Sequence, residues 1–173
     1  MAHHESSAPS PSQSSSTRDP DPAWEVASCE PLSERHSPGL PGSALTSSDE
    51  MLDHLVGLVG PESGGPASVW ISFVTQDDTI LPVAIPVEDL PSFPDERTME
   101  GISALVRSVV AENFPGAAAL VAVVRAGGGD YGAHERRWAG ALWRASEAGG
   151  WSVRAMVAVG DGRARVLVRE RCL

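Results

Sequence analysis

The sequence predicts an α/β fold: a three-layer domain with a mixed sheet, in the order α-β-β-α-β-α-β-β, behind a disordered N-terminal tail. Three observations carry this reading. Residues 117–124 are apolar on both faces, as a central strand covered from two sides must be. Apolar residues recur at helical spacing before and after that run. Near the C-terminus, two strand-like runs flank Asp161-Gly162, a two-residue hairpin signal.

The chain has 173 residues, which suits one domain plus a tail. Residues 1–45 are rich in Ser, Pro, Glu and Asp and poor in large apolar side chains. Such a segment buries too little apolar surface to offset its ordering entropy, so it reads as disordered. The domain then spans 46–173. Residues 1–67 carry ten acids against Arg18 and Arg35, a formal charge of −8. Residues 68–173 carry thirteen acids and eleven arginines, giving −2. The folded part is close to neutral, so charge alone does not argue for nucleic acid. Every basic residue is Arg and none is Lys, which fits a GC-rich coding bias.

Cys29 and Cys172 are the only cysteines, one in the tail and one at the extreme C-terminus. That usage fits a reducing compartment without a structural disulfide, so a cytoplasmic location is expected. Val26-Ala-Ser-Cys29 has the form of a lipoprotein cleavage box, but the polar run Asp19-Pro-Asp-Pro-Ala-Trp-Glu25 precedes it where export needs an apolar stretch. No run approaches the roughly 18 apolar residues of a membrane span.

Each element has a local reason. Ser47-Ser-Asp-Glu50 has capping-box spacing, and Leu52, Leu55, Val56 and Val59 continue it at helical intervals. Gly60-Pro-Glu-Ser-Gly-Gly-Pro66 ends that helix. Strands follow over 69–75 and 79–87, with Asp77-Asp78 as the turn. Pro82 and Pro86 are four apart, so their missing amides fall on one side and place the second strand at a sheet edge. The prolines also block edge-to-edge association. Ser92-Phe-Pro-Asp-Glu96 opens the next helix, with Ser92 as cap candidate, an early proline and acids in the first turn. Met99, Ile102, Leu105, Val106, Val109 and Val110 form its apolar face, and Pro115-Gly116 stops it. A helix over about 133–148 buries Trp138, Leu142 and Ala145 and ends at Gly149-Gly150.

In the final hairpin, pairing Gly160 with Arg163 sets Val159 against Ala164, Val157 against Val166 and Ala155 against Val168, all toward the core. The opposite, outward face then holds Arg154 against Arg169, Met156 against Leu167 and Ala158 against Arg165.

The loop Arg125-Ala-Gly-Gly-Gly-Asp-Tyr-Gly132 joins the central strand to a helix, the corner where open α/β sheets bind ligands. Gly127-x-Gly129-x-x-Gly132 matches the dinucleotide fingerprint, whose backbone would approach a pyrophosphate at the helix start. Against this stand the short domain, the lack of a well-placed acid about 20 residues on, and the negative charges of Asp130 and Glu135. A turn-forming loop is the simpler reading. Arg125, Gly127, Gly128, Gly129, Asp130, Tyr131 and His134 are the ligand-site candidates, for an anion or nucleotide. No nucleophile motif, metal-ligand set or cofactor motif accompanies them, so neither metal nor cofactor is expected.

This element order around a glycine-containing loop resembles the RadC-like branch of the JAB (MPN) metallohydrolase fold, over about residues 46–173. That family carries zinc at this corner through His-x-His, seven residues, Ser, two residues, Asp. The matching positions here are Arg125, Gly127, Glu135 and Trp138, which cannot hold zinc. The resemblance therefore implies a degenerate member without the peptidase chemistry. The cytidine-deaminase fold has a similar order, but its His-x-Glu and Pro-Cys-x-x-Cys motifs are missing. The segment 125–143 is also similar to proteins of actinobacteria, a likeness that implies no activity.

Arg154, Arg163, Arg165, Arg169 and Arg171 fall on the outward side of the hairpin. Opposed like charges cost stability. They form either a solvated face whose guanidinium groups splay apart or a contact for another protein, for the acidic tail or, least of all, for nucleic acid. Trp138 and Trp143 are five apart and cannot share one helix face; Trp143 is the candidate for a partner contact. The expected function is a non-catalytic binding or interaction module, with an enzyme or a nucleotide- or anion-binding protein using 125–135 as the alternative.

Overall fold

The computed structural model describes residues 36–168. The tail to residue 35, with Cys29, and residues 169–173, with Arg169, Arg171 and Cys172, lie outside the described residues. Helix α1 is Ser48–Val59 and a 3-10 turn, Gly60–Gly64, follows it. Then come β1 (Ser68–Val74), β2 (Ile80–Val87), α2 (Glu96–Glu112), β3 (Ala118–Val124), α3 (Ala133–Gly149), β4 (Ser152–Val159) and β5 (Ala164–Val166). This is the expected α/β order.

The strands form one mixed sheet, β2-β1-β3-β4-β5. β1 is antiparallel to β2 and β3, β3 is parallel to β4 across the α3 crossover, and β4 returns antiparallel into β5. The all-apolar β3 is the middle strand and is buried from Ala119 onward. The proline-bearing β2 is an edge. The amide of Ile80 donates outward to the Ser43 carbonyl, and its carbonyl accepts from Gly42. Pro82 and Pro86 share that outward side by strand alternation, so their missing amides cost no ladder bond.

Both sheet faces carry helices. On one, α1 packs Met51, Leu55, Val56 and Val59 against Leu120, Ala122, Val124, Val157 and Val159. On the other, α2 and α3 lay Ile102, Val106, Trp138 and Leu142 over Val69, Ile71, Phe73, Val121, Met156 and Ala158. Burial of these side chains is the main stabilising force, about 25 cal/mol per Å² of apolar surface removed from water.

Four expectations need correction. Helix α2 is capped by Asp95, whose Oδ1 accepts the Thr98 amide at 2.7 Å, and not by Ser92, because Pro94 delays the first turn. The Asp161-Gly162 turn has the expected register but is not type I′, since neither residue has positive φ. The outward side of the hairpin is not free: Met156, Ala158 and Leu167 are buried beneath α3 and Trp151. Val168, expected to face inward, is 75% exposed.

Residues 36–45, grouped by composition with the tail, pack onto α1 and β2. Gly39 donates its amide to His54 Nδ1 at 3.1 Å, Leu45 donates to the Asp78 carbonyl at 2.9 Å, and Leu45 is buried. His36 Nε2 lies 3.0 Å from Asp53 Oδ1. Composition misses this strap because its backbone makes most of its bonds.

Candidate functional site at the glycine-rich corner

The corner is built from the ends of two parallel strands. After β3, Arg125 donates its amide to the Val159 carbonyl of β4 at 3.2 Å. The chain then turns through Gly127 (φ +66°) and Gly129 (φ +89°), conformations that favour glycine. The turn between β4 and β5 lies on this loop. Gly127 N donates to Asp161 Oδ1 at 3.2 Å, and Arg163 Nε donates to the Gly128 carbonyl at 3.1 Å. Arg163 Nη1 also bridges Asp130 at 2.8 Å. The approach is so close that a Cβ on Gly160 would lie 2.3 Å from the Gly128 carbonyl oxygen. This contact seats the β4–β5 turn against the glycine-rich loop.

Beneath the loop, Glu135 is 1% exposed in the first turn of α3, and its Oε1 accepts from Arg125 Nε at 2.8 Å. Burial pushes this carboxyl up. The Arg125 hydrogen bond, the residue's own backbone amide and the Arg125 charge outweigh burial and hold it below its ordinary value. A Cβ on Gly132 would sit 2.6 Å from Glu135 Oε2, so the glycine makes room for the carboxylate. The helix start, where an anion is favoured, thus holds the protein's own anion. His134 is half-buried. Burial lowers its pKa, the Glu135 charge opposes this, and Arg125 and Arg137 reinforce it; the net shift is downward, so the ring is neutral near pH 7. Its ring lies 6.2 Å from that of Trp138. Glu135 Oε2, His134 Nε2 and Trp138 Nε1 are buried without a hydrogen-bond partner.

The candidate residues divide between places. Arg125, Gly127, Gly128, Gly129 and Asp130 come together, with Asp161 and Arg163 added from the hairpin. Tyr131 is half-buried at the loop's end, under the Arg136 guanidinium at 5.5 Å. Arg154 lies far from Arg163. An irregularity in the β3–β4 ladder, where Ala119 pairs with Val153 and Leu120 with Ala155, skips it. Its guanidinium instead clasps Asp78 in the β1–β2 turn. Arg165 is exposed on β5 and Trp143 is half-buried on α3. The hairpin arginines therefore do not act as one patch: Arg163 belongs to the corner and Arg154 to the far turn.

The sequence reading missed Glu135 as a structural anion. Its complement to Arg125 across a glycine loop was the available signal. It also missed an open groove of about 790 Å³ between α2 and α3, floored by Ala104, Ala141, Ala145 and Ala148, with Glu100 and Arg144 at its rim. Among the described residues, no group of three His, Cys, Asp or Glu side chains could hold a metal ion. Of the positions that match the zinc motif, Arg125 and Glu135 bond each other and Trp138 is core. No described helix is long and apolar enough to cross a membrane. No protein-family model, curated protein or solved structure matches the chain.

Proposed function

We propose that the chain is a non-catalytic binding module that engages another protein, and that its glycine-rich corner is a structural joint. The observation supporting this is the burial of Glu135. Its carboxylate already fills the start of α3, while Asp161 and Arg163 take up the amide of Gly127 and the carbonyl of Gly128. An incoming phosphate would meet a fixed negative charge instead of free amides. The element order supports a degenerate relative of the JAB fold, keeping the scaffold without the zinc ligands. The cytoplasmic location expected from cysteine usage belongs to the same proposal.

The alternative, an enzyme or a nucleotide- or anion-binding site at 125–135, draws on one observation: Glu135 Oε2 and His134 Nε2 are buried there without partners. Calorimetric titration of the full chain with ATP, NAD and inorganic phosphate separates the two. The binding-module reading expects no saturable heat from any of them. Stoichiometric binding that is lost in Arg163→Ala would overturn it.

A further inference from the structure

Charge is distributed very unevenly along the folded chain. Residues 36–96 contain ten Asp and Glu and no Lys or Arg, whereas residues 97–168 contain nine Arg against six acids. The acidic half comprises the strap, α1, β1 and β2; its two strands form one edge of the sheet, while α1 lies over the other three strands. Arg154 reaches across to it and is held by Asp78, and Arg137 lies over the Phe93 ring at 5.0 Å.

The same edge carries an uncovered stretch of sheet. Helix α1 lies over β3, β4 and β5 and reaches β1 only at its margin. Beyond the buried Ile80, the β2 side chains on this face are Pro82, Ala84 and Pro86, all exposed. Trp70 pairs with Pro86 across the strands and is half-buried, with its indole N–H unpartnered. Leu40, 74% exposed, follows the Gly39 that packs on Ile80 and so extends the strip. The ends of the strip are acidic: Asp77 in the turn before β2, and Glu88 and Asp89 directly after it.

We infer that this β1–β2 face docks a basic, apolar polypeptide segment of a partner protein, an inference that rests on the binding-module reading above. The apolar strip supplies contact area and the carboxylates select cationic flanks. Charge argues against two other occupants. Residues 1–35 of this chain carry six acids and two arginines. A second copy would present the same acidic face.

The test is an NMR titration of the full chain, following the Trp70 indole N–H, assigned through Trp70→Phe. The probes are a twelve-residue peptide alternating Lys and Leu and its Glu–Leu counterpart. The expected result is a saturable shift of Trp70 with the Lys peptide only. Affinity should fall at least tenfold in Ala84→Arg, and likewise in the combined Asp77→Asn, Glu88→Gln, Asp89→Asn chain; binding should also weaken with salt. An unmoved Trp70 signal, equal affinity in Ala84→Arg, or equal binding of the Glu peptide would overturn the inference. So would a shift of Trp70 on Trp24→Ala in the peptide-free chain, which would assign the face to the tail. A dimer dispersed by Ala84→Arg would assign it to a second copy. Nucleotide binding at the corner would instead overturn the module reading and leave Trp70 unmoved, so the two failures are distinguishable.

Discussion

The glycine-rich corner and the β1–β2 side treat their charges in opposite ways. At the corner, Arg125 meets Glu135, Arg163 meets Asp130, and Asp161 caps the Gly127 amide. On the β1–β2 side, Arg154 reaches Asp78, but Asp77, Glu88 and Asp89 have no Lys or Arg in their own half of the chain. The corner looked functional because its glycines match a phosphate-binding pattern, yet its charged side chains are paired with one another, even though Glu135 Oε2 and His134 Nε2 lack a hydrogen-bond partner. The other side carries no motif, yet exposed carboxylates flank its apolar strip. The difference between the two regions lies in exposed charge and not in buried polar atoms.

Four experiments bear on this contrast, from the largest effect to the smallest. Val157 is buried in β4 next to the corner, and Val157→Asp should leave the domain unfolded, because an unpaired buried carboxylate costs several kcal/mol. A cooperative melt near the wild-type temperature would contradict the two-sided burial of β4. Arg125→Ala strands the Glu135 carboxylate and should cost about 3 kcal/mol, the low end for a buried pair because Arg125 is 37% exposed. Denaturant melts of Arg125→Ala, Glu135→Ala and the double variant should show strong coupling. Additive losses would mean that the corner is not held by this pair. With Glu135 lowered in the folded state, the pair's contribution is complete above the ordinary carboxylate value and is lost as pH falls through the folded value.

His54 is the polar exception on the acidic side. It accepts from the Gly39 amide through Nδ1, so Nε2 carries the proton and donates to Ser72 Oγ at 3.1 Å. Burial lowers its pKa. Stability from this neutral ring is complete above the unfolded value, about 6.5, and falls with pH until the folded ring also protonates. The loss should come with faster amide exchange at Gly39, and His54→Gln should remove the dependence in that window. An unchanged slope in His54→Gln would assign it elsewhere. Smallest of all, Glu88→Gln and Arg165→Ser should each shift stability by less than about 0.5 kcal/mol, as exposed sites do. If Glu88→Gln destabilised like Arg125→Ala, its carboxylate would have a hidden partner and the contrast would fail.

Much of the fold was legible because its signals are local. Two prolines four residues apart can only face the open side of a strand, and a doubly apolar run can only lie mid-sheet. The hairpin register followed from pairing Gly160 with Arg163. What escaped depends on distant contacts. The corner is closed by Asp161 and Arg163, 34 and 35 residues from the loop atoms they bond. The strap's hydrogen bonds are mostly main-chain, to which composition is blind. The arginine face was misjudged because a skipped residue in the β3–β4 ladder turns Arg154 away from the alternation its neighbours obey.

The strap and β5 lie at opposite edges of the sheet, and this has a mechanical consequence. The chain enters and leaves the sheet through these outermost bonded segments, so a load on its two ends reaches them before any inner strand. It would open the outermost backbone bonds one after another, peeling the strap from Ile80 and β5 from β4, before the parallel β3–β4 pair is sheared. A tether through the N-terminal tail would therefore meet a soft, progressive resistance from this domain, with the central strands yielding last.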